Sequence, residues 1–306
     1  MDTVSVFAPA STGNIGPGFD LLGMALTGMG DTVTASRCAD SGVRMEAITG
    51  DGGKLPREVE KNTACIAAQG VLTHLGCGEG VMLTLEKNIP GTGLGSSAAS
   101  AVAAACAVNL LFGQKLTKAQ LIPLAAIAES RVSGGFFLDN IGPSMVGGIT
   151  WNNPFTQEVV QLGLLTTAVI VVAIPNAPLL TKDSRRVLPD MVSMEQFVFN
   201  MAQASMMSWA AAIGDVKRFG CAILDRVAEP VRATLIPGFQ AAKAAALSAG
   251  AFGCSISGAG ASVFAVTDNL NDGQKIAVAM RAGLAREGVL SQVRVTQIDP
   301  MGARAV

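Results

Sequence analysis

An apolar run at Val4–Ala8 predicts a strand that leads straight into a glycine-rich turn. Ala64–Leu75 reads as a helix, Val81–Leu85 as a strand, and Asn88–Gly95 as a loop. An alanine-rich helix starts at about Ser96, a further helix spans Lys118–Val132, and a second glycine-rich stretch occupies Gly134–Gly148. Beyond it the rhythm changes. The β-branched run Ala168–Ile174 predicts a buried strand, and Ser193 with Gln196 has capping-box spacing ahead of a helix to about Ile213. A helix over Gly238–Ala249, a strand over Ser262–Val266, a helix over Gly273–Arg286 and a strand over Val293–Ile298 follow. Helices and strands that mix without strict β-α-β order predict an α+β chain of two layers, divided near residue 160.

The longest apolar stretch, Ala98–Phe112, contains Ser100 and Asn109 and is about 15 residues long, short of the roughly 20 that a membrane span needs. It reads as a buried helix. Met1-Asp2-Thr3 places an acid where a secretory leader carries positive charge, so a cytoplasmic protein without membrane attachment is expected.

At 306 residues the chain has length for one large domain or two ordinary ones. Only 15% of its residues are charged, against about 25% ordinarily, and 35 glycines imply many turns and close backbone approaches. A net charge of −1 without any Lys/Arg-rich run excludes a dedicated nucleic-acid binder, which needs a basic face for phosphates. With His74 as the single histidine, a multi-histidine metal centre is also excluded. The six cysteines show no Cys-x-x-Cys and no zinc spacing, and read as reduced thiols.

Three glycine-rich segments carry the candidate chemistry. In Ala8–Gly23, Asn14 and Asp20 stand among glycines directly after a strand. Small residues there let the backbone approach a ligand, although an ordinary turn with local Asn and Asp bonds has the same composition. The second segment runs Pro90-Gly91-Thr92-Gly93-Leu94-Gly95-Ser96-Ser97-Ala98 into a helix. Such a loop offers backbone N–H groups and the positive end of a helix dipole to an anion, with hydroxyls suited to phosphate or Mg²⁺. It is not a Walker A motif, since Gly-Lys-Ser/Thr is missing from the chain. Gly93-x-Gly95-x-x-Ala98 fits a loose Rossmann pattern, but no Asp or Glu lies between Ala98 and Glu129 to bind a ribose. A purely structural helix start is the alternative. In the third segment, Gly253–Ala265, the small residues Gly258–Ala261 precede an apolar strand, as a tight turn or as a loop lying against the phosphate-type loop.

In this order and spacing the segments resemble the three motifs of the GHMP kinases, the superfamily of galactokinase, homoserine kinase, mevalonate kinase and phosphomevalonate kinase. The run Pro90–Ala99 is highly specific for that superfamily. Within it the chain looks most like the homoserine kinase family, on four further runs. These are Asn14-x-Gly-Pro-Gly-Phe-Asp20, Leu138-Asp-Asn-Ile-Gly-Pro143, Thr181-x-x-x-Arg185-x-x-Leu-Pro189 and Pro230-x-Arg232-x-x-Leu-Ile-Pro-Gly238. The resemblance implies an N-terminal domain like ribosomal protein S5 domain 2 over residues 1–160 and a ferredoxin-like C-terminal domain over 161–306. It further implies phosphorylation of the side-chain hydroxyl of L-homoserine with ATP and Mg²⁺, in threonine biosynthesis; a homodimer is also expected.

Residue roles follow from the same resemblance. Pro90 to Ala98, with Gly258 and Gly260 beside them, would hold the ATP phosphates, and Asn62 would border the adenine or else cap a helix. Ser97 and Glu129 match the Mg²⁺ ligands, with a helix-surface carboxylate as the other reading of Glu129. Homoserine is a zwitterion, so Arg185 and Arg232 suit its carboxylate and Asp20 its ammonium. Asn14 and Asn140 would orient the hydroxyl, and Thr181 would add a hydrogen bond. Related sugar and mevalonate kinases use an Asp as base near the position of Asn140; Asp139 is adjacent, but neighbouring side chains usually point apart. Catalysis by alignment and electrostatic stabilisation, with the proton passing to phosphate, is the expectation.

One departure stands out: homoserine kinases often carry His where this chain has Phe137. Lys87 and Lys182 are both open as phosphate contacts. Met194, Met201, Met206, Met207 and Trp209 read as gap-filling core or as a dimer interface, His74 as a helix-surface or satisfied core residue, and Cys106 and Cys254 as small buried residues. The competing functions are a kinase for another small alcohol, a nucleotide-binding regulatory module without catalysis, and a Rossmann-type dehydrogenase, which the missing ribose acid disfavours.

Overall fold

The computed structural model describes residues 2–177 and 179–306, which form two sheets, one of seven strands and one of four. β1 (Thr3–Thr12) and the long β2 (Leu22–Cys38) make the antiparallel spine of the first sheet, with Thr3 opposite Ser36 and Thr12 opposite Met24. Their register slips at Pro9, where a bulge suits a residue with no N–H to donate. β3 (Val43–Thr49) runs parallel to β4 (Gly80–Glu86), which lies along β2. β5 (Ile149–Asn152) pairs with the start of β2, and β6 (Val159–Gly163) with β5.

One face of this sheet is covered by α1 (Thr63–Leu75), α2 (Ser96–Leu111), α3 (Lys118–Ser133) and α4 (Leu138–Val146). Val4, Val6 and Ala8 alternate into that core beside Val33, Ala35 and Leu83. Ala98, Ala99, Ala101, Ala103, Ala104, Ala105 and Ala107 bury α2 on all sides. Methyl side chains let α1, α3 and the sheet close around it. The stretch Gly134–Gly148 is not merely a glycine-rich connection, because its middle is α4, with Leu138, Ile141 and Met145 buried on one face. Its inner glycine is there for contact: a Cβ on Gly142 would lie 2.0 Å from the Asn152 side-chain oxygen.

The chain crosses between the sheets over 164–168. β7 (Val169–Pro175), β8 (Gly253–Ile256), β9 (Val263–Thr267) and β10 (Ser291–Gln297) form the second sheet, antiparallel throughout in the order β10-β7-β9-β8. The helices of this part are α5 (Thr181–Arg186), α6 (Met194–Ile213), α7 (Val216–Cys221), α8 (Ala228–Arg232), α9 (Phe239–Ser248) and α10 (Leu270–Arg286). β7 feeds two cores. Val171 and Ala173 pack in the core with α9 and α10, while Ile170, Val172 and Ile174 join Leu22, Met24 and Leu26 of the first sheet. The two sheets therefore share a core, and β11 (Arg304–Ala305) returns to pair with β1. This is the α+β class expected from the sequence.

The capping box of Ser193 and Gln196 forms as anticipated. The reading of the α6 methionines as core is corrected: Met207 is buried, but Met194, Met201, Met206 and Trp209 are exposed. Among the described residues, the α6 side chains that join the shared core are Met207, Ala210 and Ala211. Among the described residues no helix is long and apolar enough to cross a membrane.

Candidate active site

The three glycine-rich segments meet at one cleft of about 640 Å³, whose wall includes Asn14, the loop 90–98 and the turn 258–260. Gly93 adopts φ +80°, and a Cβ there would lie 2.4 Å from the carbonyl oxygen of Ser257 and 2.8 Å from that of Gly260. The third segment thus lies directly on the second. The Ser257 hydroxyl donates to the Gly93 carbonyl (2.5 Å), the Ser262 hydroxyl to the Thr92 carbonyl (2.6 Å), and the Ala261 N–H to the Thr92 hydroxyl (3.1 Å). The Leu94 carbonyl accepts from the Ser11 N–H (3.1 Å), with its side chain buried in the shared core. Three carbonyls of the loop are therefore bonded to surrounding protein, which reduces their repulsion of an approaching anion.

Beneath the loop, the buried Lys87 ammonium pairs with Asp31 and donates to the Ser96 carbonyl (2.9 Å) and the Ser100 hydroxyl (2.7 Å). Three acceptors account for its three N–H donors. Asp31 also accepts from Ser100 (2.7 Å) and from the Asn88 N–H (3.2 Å), so both ends of the 88–96 segment are tied to β2. Of the two lysines considered for phosphate contact, Lys87 is committed to this network and Lys182 is exposed, outside the cleft wall.

Ser97, in the first turn of α2, and Glu129, on α3, both line the cleft. Glu129 is 7% exposed on a helix whose Ala125, Ala126 and Ala128 are buried, which removes the helix-surface reading. A hydroxyl and a carboxylate are the hard oxygen donors that Mg²⁺ takes, so the pair fits that ion. No cluster of three or more His, Cys, Asp or Glu that could hold a metal occurs among the described residues, so waters and phosphate oxygens would have to complete its coordination. Asn62 is the N-cap of α1: its oxygen accepts from the Ala64 N–H (3.0 Å) and its amide donates to the Pro56 carbonyl (2.9 Å), while the residue borders the cleft.

At the other end, Asn14 and Asp20 hold left-handed backbones (φ +51° and +57°), a cost for residues with a Cβ. Two bonds offset it. The Asp20 N–H donates to Asn14 Oδ1 (3.0 Å), and the Asn14 N–H to Asp139 Oδ2 (2.8 Å). Asp139 is fully buried in α4, and the missing side chain of Gly13 admits it, since a Cβ there would lie 2.2 Å from Oδ2. Burial first, and then the charge of Asp20, pushes the Asp139 carboxyl up to about 7. Asn140 lines the cleft, accepts from the Ser11 hydroxyl (3.1 Å), and its amide reaches Asp139 Oδ1 at 3.4 Å.

Arg185 places Nη2 on both oxygens of Asp20 (2.6 and 2.9 Å). Asp20, assigned to a substrate ammonium, is thus held by a protein cation in this structure. The Arg185 guanidinium lies 4.7 Å from the centre of the Phe137 ring and 5.4 Å from that of Phe19. Arg232 is 3% exposed, donates to the carbonyls of Ser184 (3.3 Å) and Gly258 (3.2 Å), and lies 4.9 Å from Phe19. Burial, and then the charge of Arg185, holds it below its ordinary value. Thr181 borders the same cleft at the start of α5.

Sequence reasoning missed Ser11, Phe19, Asp31, Ser257 and Ser262. The serines look like turn residues, and Phe19 lies inside a quoted motif without being read for itself. His74 is exposed on α1 and does not line the cleft. Burial pushes the thiols of Cys65, Cys106 and Cys254 up to about 12, which disfavours the thiolate; Cys254 is buried and Cys106 only half-buried.

Comparison with known proteins follows the same lines. The family model of the GHMP kinases N terminal domain matches residues 62–148, and that of the GHMP kinases C terminal matches residues 207–286. A homoserine kinase of Chlorobaculum tepidum is 36% identical over 324 residues, covering 100% of this chain and 99% of the relative. One of Arabidopsis thaliana is 42% identical over 316 residues, covering 99% of this chain and 85% of the relative. A crystal structure of homoserine kinase from Cytophaga hutchinsonii superposes with a TM-score of 0.95 at 37% identity, over 100% of this chain and 98% of the other.

Proposed function

The chain belongs to the homoserine kinase family of the GHMP kinases, and from that premise we propose that its cleft phosphorylates the side-chain hydroxyl of L-homoserine with ATP. The observation that carries the residue assignments is the convergence of the loop 90–98, the turn at Gly258 and Gly260, and the Arg185 and Arg232 charges on one cleft, with Asp20 bonded to Arg185 behind its wall. Gly91 to Ser97 take the phosphates through backbone N–H groups at the start of α2, with Asn62 bordering the adenine. Ser97 and Glu129 hold Mg²⁺, which when bound neutralises charge on the phosphates.

Arg185 and Arg232 take the acceptor's carboxylate, Asp20 its ammonium, and Thr181 adds a hydrogen bond. Asn14 and Asn140 orient the hydroxyl. The hydroxyl oxygen forms a bond to the γ-phosphorus, the bond from that phosphorus to the β–γ bridging oxygen breaks, and ADP leaves. Asn140 is an amide and takes no proton, and Asp139 is turned under the Asn14 backbone. The hydroxyl proton accordingly passes to a phosphate oxygen, and rate comes from alignment and charge stabilisation. We divide the chain into working domains 1–160 and 161–306, a cut that falls within β6 just before the chain crosses to the second sheet, and place it in the cytoplasm, in threonine biosynthesis. A homodimer is supported by the exposed apolar side chains of α6.

³¹P detection of O-phosphohomoserine from ATP, Mg²⁺ and L-homoserine tests this. Arg185→Ala should raise KM for homoserine at least tenfold and leave KM for ATP within twofold. Release of ADP independent of homoserine, or equal effects on both KM values, would count against the assignment.

A further inference from the structure

We propose that Phe137 is a positioning residue: together with Phe19 it holds the Arg185 guanidinium in the orientation that receives the acceptor's carboxylate. The proposal rests on the acceptor end assigned above, but the contact itself is independent of which acceptor is used. Phe137 stands at the N-cap of α4, where Ser, Thr, Asn or Asp would bond the helix start, and it makes no such bond. Its ring is buried yet borders the cleft, 4.7 Å from the Arg185 carbon that bears the charge. Room for the ring comes from Gly135, where a Cβ would lie 2.7 Å from it.

Hydrogen bonds alone leave Arg185 poorly fixed. Both short bonds to Asp20 come from Nη2, and its Nε is buried with no hydrogen-bond partner among the described residues. A guanidinium anchored at one nitrogen can swing about it. The anchor also weakens when needed most, because the acceptor's ammonium competes for the same Asp20 carboxylate. Ring faces do not compete for N–H donors, so the aromatic contacts persist through that exchange. They attract the cation through the ring quadrupole, more strongly where water is excluded.

Two measurements on the full chain test this, with Phe137→Leu and Phe137→Trp. Loss of the ring should raise KM for homoserine about two- to twelvefold, the cost of ordering one long side chain on binding, while KM for ATP and kcat stay within twofold. Phe137→Trp should recover most of that loss, which a residue serving only packing would not require. The second readout needs no substrate. The Arg185 Nε–H signal in a ¹H–¹⁵N spectrum, identified by its loss in Arg185→Lys, should be shifted by the ring in the wild type and in Phe137→Trp. In Phe137→Leu it should move part of the way towards the position of a free arginine, since Phe19 and Asp20 still contact the guanidinium. An unmoved signal in Phe137→Leu, or an unchanged KM for homoserine, overturns the proposal. A wild type with the shifted signal but no turnover of homoserine instead overturns the assigned substrate and leaves the positioning role standing.

Discussion

Asp139→Asn removes a carboxyl that burial and Asp20 push up from 3.8 to about 7. In the unfolded chain that group loses its proton near 3.8, whereas the folded protein keeps it to about 7. Between those values the folded state binds the extra proton, so stability falls as pH rises across the window and levels off above it. At 1.36 kcal/mol per pH unit, this amounts to about 4 kcal/mol by pH 8, as an order of magnitude. Asparagine keeps an oxygen for the Asn14 N–H, now 2.8 Å away, and carries no charge to oppose Asp20. The variant should therefore lie within about 1 kcal/mol of the wild type at pH 4.5 and exceed it by a few kcal/mol at pH 8. Urea unfolding of both proteins at pH 4.5, 6 and 8 measures the difference, in which carboxylates not coupled to Asp139 cancel. A difference that does not grow with pH would refute the assignment of this titration to Asp139. Turnover is informative as well. A lost general base costs about 10²- to 10⁴-fold, whereas a carboxyl that only braces the Asn14 turn should leave kcat within about tenfold.

Lys87→Met leaves the Asp31 carboxylate buried without its cation, which should cost about 3–5 kcal/mol in denaturant unfolding, with much of it recovered in Lys87→Met/Asp31→Asn. A loss under 1 kcal/mol would mean that the network is slack. Asn140→Asp sets a second carboxylate beside buried Asp139 and should lower kcat at neutral pH; strongly raised turnover with a new acidic limb would instead restore a general base to the mechanism.

What could be read in advance follows from how each feature is encoded. The loop 90–95 and the helix it enters were legible because a contiguous run of small residues stands directly before an alanine-rich segment. The start of α6 was legible because its cap lies within four residues. The Lys87–Asp31 pair was not, since its members are 56 positions apart and β2 shows little apolar alternation to betray its length. α4 was obscured by Gly142 and Pro143, which suggest a turn, although Leu138, Ile141 and Met145 repeat at helical spacing. Composition marks α6 as apolar but carries no information on which stripe meets the shared core. The exposed methionines follow from that.

The Asp20–Arg185 pair shows why charge roles assigned singly from motifs understate a site. Each residue was matched to one end of a zwitterion, yet in the described structure the two charges face each other 2.6 Å apart. They are partly exposed, so the pair itself contributes little to stability. Its consequence is selective. An acceptor with both an ammonium and a carboxylate replaces each partner with a charge of the same sign, so no group is left unpaired by the exchange. A ligand with only a carboxylate takes Arg185 from Asp20 and leaves that carboxylate beside Asp139, the very neighbour whose proton its charge already holds in place. If these roles hold, discrimination against such ligands should grow as pH rises and Asp139 loses its proton, because a second negative charge then stands under the same turn. On the proposed roles, Asp20 of the first glycine-rich segment, the buried carboxyl of α4 and the arginine of α5 would act on the acceptor as one electrostatic unit, although no two of them are neighbours in the chain.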